Sequence, residues 1–238
     1  MTVAMSGAKA TSGHSDTEAL TIHRRGDPMG VARVLLLGLM GSGKTTVGEA
    51  LADRLGWSYI DNDDLVLEAA GVTKASLVEE QGAAGLRAAE AQALRSAISR
   101  PGPFVAGVAA GVVLDPDDAS PLRDPPDDVA LVWLRAHIDT LAERIRRDPA
   151  DRPWLTGDLE ESLRAMAARR EPAFGQFADV IIDVDDLDPP GAAAEIAQRL
   201  ELASVVGRPA ASALSGSDRA HGSGRGPGRG PPPKRSSR

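Results

Sequence analysis

The stretch "RVLLLGLMGSGKTTVGEALADRLG", Arg33 to Gly56, decides the fold. Its opening, Arg33 to Gly38, is a short, nearly continuous apolar run, the pattern of a strand buried on both faces. Its end, Thr45 to Gly56, carries apolar residues at Val47, Ala50, Leu51 and Leu55, and Gly56 stops it, so it reads as a helix. Between them "GLMGSGKT", Gly38 to Thr45, fits G-x-x-x-x-G-K-[ST] in the strand-then-helix setting that this motif requires. Gly38, Gly41 and Gly43 let the backbone curl so that N–H groups converge on a phosphate. The following helix points its positive end at the same place. Gly41, Ser42, Gly43, Lys44, Thr45 and Thr46 are therefore the phosphate-binding candidates. Lys44 brings charge to the β- and γ-phosphates, and Thr45 brings a hydroxyl to Mg²⁺. The motif specifies a nucleoside triphosphate. It leaves the phosphoryl acceptor open.

Outward from this stretch, strand and helix patterns alternate. "WSYID" reads as a second strand, "FVAGV" as a third, "VALVWLRA" (Val129 to Ala136) as a fourth and "DVIIDV" (Asp179 to Val184) as a fifth. "LVLEAAG" and "SLVEEQG" read as short helices closed by glycine, and "GLRAAEAQALRSAIS" as a longer one. "IDTLAERIRR", "LEESLRAMAARREPAF" and "PGAAAEIAQRLELA" complete the helices, with a Pro/Asp/Gly-rich loop between the first two. Pro172 is expected to break the helix that contains it. This order predicts an α/β protein: three α/β/α layers around a five-stranded parallel sheet. Ligands are expected at the carboxyl ends of the strands.

The chain has 238 residues, enough for one such domain with extensions. Residues 1–29 are polar and aperiodic, and residues 205–238 form a basic Gly/Pro/Arg-rich tail. Both are expected to be disordered, flanking a domain at 30–204. Met29, directly before the first strand, is a second candidate translation start. Cysteine is absent, so no disulfide or thiolate site is available. Of four histidines only His137 falls in the likely core region, which excludes a His-cluster metal site. No apolar run reaches the roughly 18 residues needed to span a bilayer, and the first thirty residues lack a signal-peptide core. A cytoplasmic protein without membrane contact is expected. The net charge is −7. From Arg208 onward seven basic residues face one acid, giving +6, so the remainder carries −13. An acidic body argues against nucleic-acid binding by the folded part.

Two further groups have chemistry to offer. "YIDNDDL" puts Asp61 and Asp63 just after the second strand. If the segment is extended, residues two apart point the same way, toward the phosphate loop. One carboxylate would hold a Mg²⁺-bound water and the other would draw a proton from an acceptor hydroxyl. The competing reading is helix N-capping, which suits Asp64 better than Asp61. Arg87 lies three residues before Glu90 on one helical face, Arg152 lies in the loop "DRPWL", and Arg170 lies in "RREPAF". A guanidinium fork suits a carboxylate clamp, and a loop arginine can close on a transferring phosphoryl group. Each is also an ordinary surface ion-pair partner.

Taken together, "GLMGSGKTTVGEALADRLGWSYIDNDDLVLEAAG", "GLRAAEAQAL", "VVLDP", "LVWLRA", "DRPWL", "RREPAF" and "IDVDDLDP" resemble the shikimate kinase family of small P-loop kinases, over about Ala32 to Leu202. The resemblance implies the P-loop kinase fold, Mg²⁺ as cofactor, ATP and shikimate as partners, and a monomer. It implies Asp61 as the Mg²⁺-associated aspartate and Asp63 as the group that binds the shikimate hydroxyls and serves as base. It implies Arg87 and Arg170 as the carboxylate clamp, with Glu90 positioning Arg87. Arg152 becomes a lid residue that reaches the phosphates, and Arg147 approaches the adenine beside the loop Asp183 to Pro189.

The chain departs from the family pattern in places. Where the family has three glycines after the third strand, this chain has Ala109, Ala110 and Gly111, and Gly111 is the position expected closest to the acceptor. If a lost glycine had needed a positive φ, alanine would cost about 1 kcal/mol or more. If not, the cost is a methyl group near the ligand. The usual acid and aromatic before the first clamp arginine are Ala83 and Leu86, and a usual tyrosine is Phe174. Two other readings therefore stand beside an ATP:shikimate phosphotransferase: a kinase for another hydroxy acid such as gluconate, and a nucleotide-binding pseudokinase with a degenerate acceptor site.

Overall fold

Residues 30–147 and 158–202 are described by the computed structural model. The segments expected to be disordered, and the lid candidate Arg152, lie outside them, as does the second unit of the chain, Gly207–Arg238.

β1 (Arg33–Leu37) is buried along its whole length. It forms the centre of a five-stranded sheet in the order β2-β3-β1-β4-β5, with every pairing parallel. The others are β2 (Ser58–Ile60), β3 (Phe104–Gly107), β4 (Val129–Arg135) and β5 (Val180–Asp183). Arg33 stands in register with Phe104 on one side and Val129 on the other. The chain winds outward from β1 to β2, returns through β3, and crosses to β4. The order therefore reverses beside β1, and a crevice opens at the carboxyl ends of β1 and β3.

The helices are α1 (Lys44–Leu55), α2 (Asn62–Ala70), α3 (Lys74–Ser99), α4 (Ser120–Arg123), α5 (Ile138–Arg147), α6 (Leu159–Phe177) and α7 (Pro189–Arg199). α1 buries Val47, Leu51 and Leu55 as their spacing predicts, with Gly48 and Ala52 beside them while Ala50 is only partly buried, and it ends at Gly56 with φ 68°. The two helical segments expected on either side of Gly82 run on as α3, which is interrupted at that residue (φ 66°, ψ −167°). No helix among the described residues is long and apolar enough to cross a membrane.

One expectation is corrected. α6 does not break at Pro172 but continues to Phe177. Proline removes one N–H and crowds the preceding turn. Packing outweighs that cost here. Phe174 is fully buried, Phe177 nearly so, and the Phe174 ring lies 5.8 Å from the ring of Trp133 on β4. Two buried aromatic side chains contribute several kcal/mol, more than a proline removes.

At the opposite end of the sheet from the crevice, the guanidinium of Arg33 is buried. It forms a bidentate pair with Asp128 and donates to the carbonyls of Ile98 and Arg100. These contacts satisfy the charge and tie the end of α3 to the start of β1. They keep α3, which carries part of the site, fixed to the sheet.

Candidate active site

The site is built from the segments that leave the carboxyl ends of the strands. After β1 comes the loop Gly38 to Gly43. Gly38 has φ 146°, and a Cβ placed there would meet Ser42 Oγ at 2.6 Å and the Leu134 carbonyl at 2.7 Å. Only glycine fits this turn. α2, α3, α6 and α7 each begin with a side chain capping their free N–H groups. α1 begins at Gly43 with no side-chain cap. Its first-turn N–H groups thus face the loop, as an anion site needs. Ser42 is buried under the loop with its hydroxyl unpartnered. Thr46 folds its hydroxyl onto the Gly43 carbonyl at 3.2 Å.

Lys44 Nζ donates to the carbonyls of Gly38 (2.9 Å) and Leu39 (3.1 Å). Burial, and then the nearby cation of Lys74, bring its ammonium down to a pKa of about 8, while Asp61 opposes the shift. An ammonium so placed is poorly solvated and gains from an arriving phosphate.

After β2 comes Asp61, and here the structure differs from the sequence reading. The chain does not stay extended: Asp61 is the N-cap of α2 and Asp63 lies in its first turn. Capping thus falls to Asp61 rather than Asp64. Asp61 Oδ1 accepts from the Asp63 N–H at 2.9 Å. Its other oxygen accepts from Thr45 Oγ1 at 3.0 Å and from the Tyr59 hydroxyl at 3.2 Å. Tyr59 lies against α1 at Gly48, where a Cβ would approach the ring to 2.3 Å. Burial chiefly, with Asp61 and Glu49 adding, pushes the Tyr59 hydroxyl far above its ordinary range, so it remains a donor. Tyr59 was not singled out from the sequence; one aromatic residue in a strand carries no signal of a polar role.

Asp63 points elsewhere. Its Oδ1 lies 2.5 Å from Lys74 Nζ, and 73% of its side chain is open to solvent. Lys74, in the first turn of α3, also lies 3.9 Å from Glu90 Oε1. Glu90 joins the acceptor-side residues. Burial pushes its carboxyl up, against the cations of Lys74, Arg170 and Arg87. Lys74 and Arg170 act on it more strongly than Arg87 does, although Arg87 is on the same helix. Arg170 comes from α6, half-buried, with its Nε unpartnered, and burial lowers its affinity for its proton.

After β3 come Ala109, Ala110 and Gly111. Among the described residues Glu201 is the one non-glycine with positive φ, so neither alanine is strained. Gly111 itself is right-handed (φ −82°, ψ −24°), and a Cβ there would stand 3.4 Å from Glu90 Oε2. The glycine-to-alanine departure therefore carries no backbone cost.

The far side is less assembled. Arg147, at the end of α5, pairs with Glu143 on its own helix. Asp183 pairs with Arg135, and Asp185 accepts from the His137 N–H at 2.9 Å, so the segment after β5 is held against the end of β4. Lys44, Thr45, Asp61, Asp63, Glu90, Gly111 and Arg170 are thus brought to one crevice, with exposed Arg87 within electrostatic reach of Glu90.

Comparison with known proteins agrees with this geometry. A sequence model described as shikimate kinase matches residues 40–201. A shikimate kinase of Synechococcus sp. (strain CC9605) is 37% identical over 166 residues, 69% of this chain and 80% of the relative. One from Symbiobacterium thermophilum is 38% identical over 170 residues, 71% of this chain and 95% of the relative. Among solved structures, shikimate kinase from Acinetobacter baumannii in complex with shikimate superimposes with a TM-score of 0.65 at 27% identity, covering 72% of this chain and 93% of that one. The model match over residues 40–201, and relatives at 37% and 38% identity covered to 80% and 95% of their own length, settle the assignment: the chain belongs to the shikimate kinase family.

Proposed function

We propose that the protein transfers the γ-phosphoryl group of ATP to a hydroxyl of shikimate. The observation that carries the reading is the meeting of Lys44, Asp63, Glu90 and Arg170 beside the uncapped start of α1. A phosphate-binding end and a carboxylate-binding end then share one crevice. Family membership supports the same acceptor.

With ATP bound, Lys44 leaves its own loop carbonyls for the β- and γ-phosphates, and the N–H groups of the loop and α1 hold the phosphate oxygens. Arg87 and Arg170 take the acceptor carboxylate; Gly111 leaves room for the acceptor ring beside Glu90. Asp63 receives the proton of the attacking hydroxyl. The oxygen of that hydroxyl bonds to the γ-phosphorus as the bond to the bridging oxygen breaks and ADP leaves. The family resemblance assigns Arg152, outside the described residues, to the transferring group and Arg147 to the adenine.

Mg²⁺ fits the residues present. Thr45 Oγ1 and Asp61 Oδ2 are hard oxygen donors 3.0 Å apart, and no cluster of three or more metal-ligating side chains occurs among the described residues. Mg²⁺ characteristically takes one or two protein oxygens and fills its shell with water and phosphate. Thr45 would hold it directly and Asp61 through water. When bound, it neutralises charge developing on the phosphate oxygens.

A coupled ADP-release assay with shikimate, with gluconate and without acceptor tests the proposal. ADP is expected with shikimate alone. ATP binding without shikimate-dependent release would leave the pseudokinase reading, and faster release with gluconate would leave the other hydroxy acid.

A further inference from the structure

Lys74 has no assigned role, yet it occupies the middle of the acceptor side. Its ammonium lies 2.5 Å from Asp63 Oδ1 and 3.9 Å from Glu90 Oε1, with a quarter of its side chain exposed. It therefore touches the open carboxylate of α2 and the enclosed one of α3 together. Local preference does not put a cation here. Lys74 follows the N-cap Thr73 directly, and the first turn of a helix disfavours positive charge. No acidic residue of that turn offsets it. A residue that violates its local rule and finds its partners on the neighbouring helix and further along its own is a sign of a site.

The charges around it explain what it would do. Asp63 and Glu90 carry two negative charges, and Arg87 and Arg170 carry two positive ones. Without Lys74 this set is balanced and offers an anion little net attraction. With Lys74 it is cationic by one. We propose that Lys74 is a specificity-determining residue of the acceptor pocket, which makes it prefer a carboxylate-bearing acceptor over an uncharged one. The inference rests on the shikimate reading above.

The test uses the full chain with Lys74→Met and Lys74→Arg, and two acceptors: shikimate and its uncharged primary amide. For Lys74→Met, kcat/KM on shikimate is expected to fall on the order of tenfold, mainly through KM. On the amide it should fall no more than about threefold, and KM for ATP should stay within about twofold. Lys74→Arg keeps the charge and is expected to restore the preference for the acid. Circular dichroism of each variant checks the fold. Equal losses on acid and amide would mean that Lys74 merely pins α2 to α3, and the inference is overturned. An unchanged KM for shikimate overturns it too. If the unmodified protein does not turn over shikimate, the functional reading falls first and takes this inference with it. If it does and Lys74→Met behaves identically, this inference alone falls.

Discussion

The hydroxyl of Thr45 donates to the carboxylate of Asp61 across 3.0 Å, and this bond joins the first turn of α1 to the N-cap of α2. Asp61 caps α2 with its other oxygen. One side chain thus serves the helix and the phosphate site together.

The two roles separate by substitution. Asp61→Ala loses both, and is expected to cost about 1 kcal/mol of stability with a fall in kcat on the order of a hundredfold. Asp61→Ser keeps a capping oxygen. Its stability should lie within about 0.5 kcal/mol of the parent while the activity loss persists. Urea unfolding and ADP release read the two effects. Full activity in Asp61→Ser would remove Asp61 from the metal site.

Arg170 leads to a sharper expectation than a charge deletion does. Its Nε is buried and unpartnered, and its cation acts on Glu90 across the crevice. Arg170→Lys keeps the charge and loses the fork. KM for shikimate should rise on the order of tenfold, with KM for ATP within about twofold. Initial-rate kinetics with each substrate varied in turn decide it. Equal changes in both would place Arg170 outside the clamp.

Ala109 and Ala110 lie outside the left-handed region, so restoring glycine relieves no strain. Ala109→Gly with Ala110→Gly should lower stability by about 1 kcal/mol through the freer unfolded chain. Turnover of shikimate should change less than about threefold. A rise in kcat/KM beyond tenfold would show that the methyl groups obstruct the acceptor.

Much of this was legible in the sequence, for identifiable reasons. Val34 to Leu37 read as a strand because a strand buried on both faces needs no alternation. The phosphate loop read correctly because its glycines answer to local sterics. What was missed depends on tertiary contacts. Pro172 looked like a break until Phe174 and Phe177 proved to be buried beyond it. Asp64 looked like the cap, because where a helix begins is decided within a residue or two. Lys74 gave no signal, since a lysine beside a helix start is common. Only the packing of α2 against α3 carries it to Asp63. The one hint available was a cation in a first turn that lacks an acid.

Lys44 makes ATP binding pH-dependent in a definite direction. In the free protein its ammonium titrates near about 8, below the ordinary 10.5, because it is buried beside Lys74. Well below pH 8 it is already charged, and binding needs no further proton. Above about 8 it is largely neutral, and the nucleotide phosphates favour the charged form. Binding should then draw up to about one proton from solution per ATP, most strongly near pH 9. Stability follows the same sign. From about pH 8 to 10.5 the unfolded chain binds this proton and the folded chain does not. The contribution of Lys44 to stability therefore rises with pH across that window and is lost as pH falls back through 8. Titration calorimetry of ATP in buffers of different ionisation enthalpy measures the uptake, and urea unfolding of the parent against Lys44→Met measures the stability slope. An absence of proton uptake on binding at pH 9, or parallel stability curves for the two proteins, would mean that the Lys44 ammonium stays fully charged in the free site.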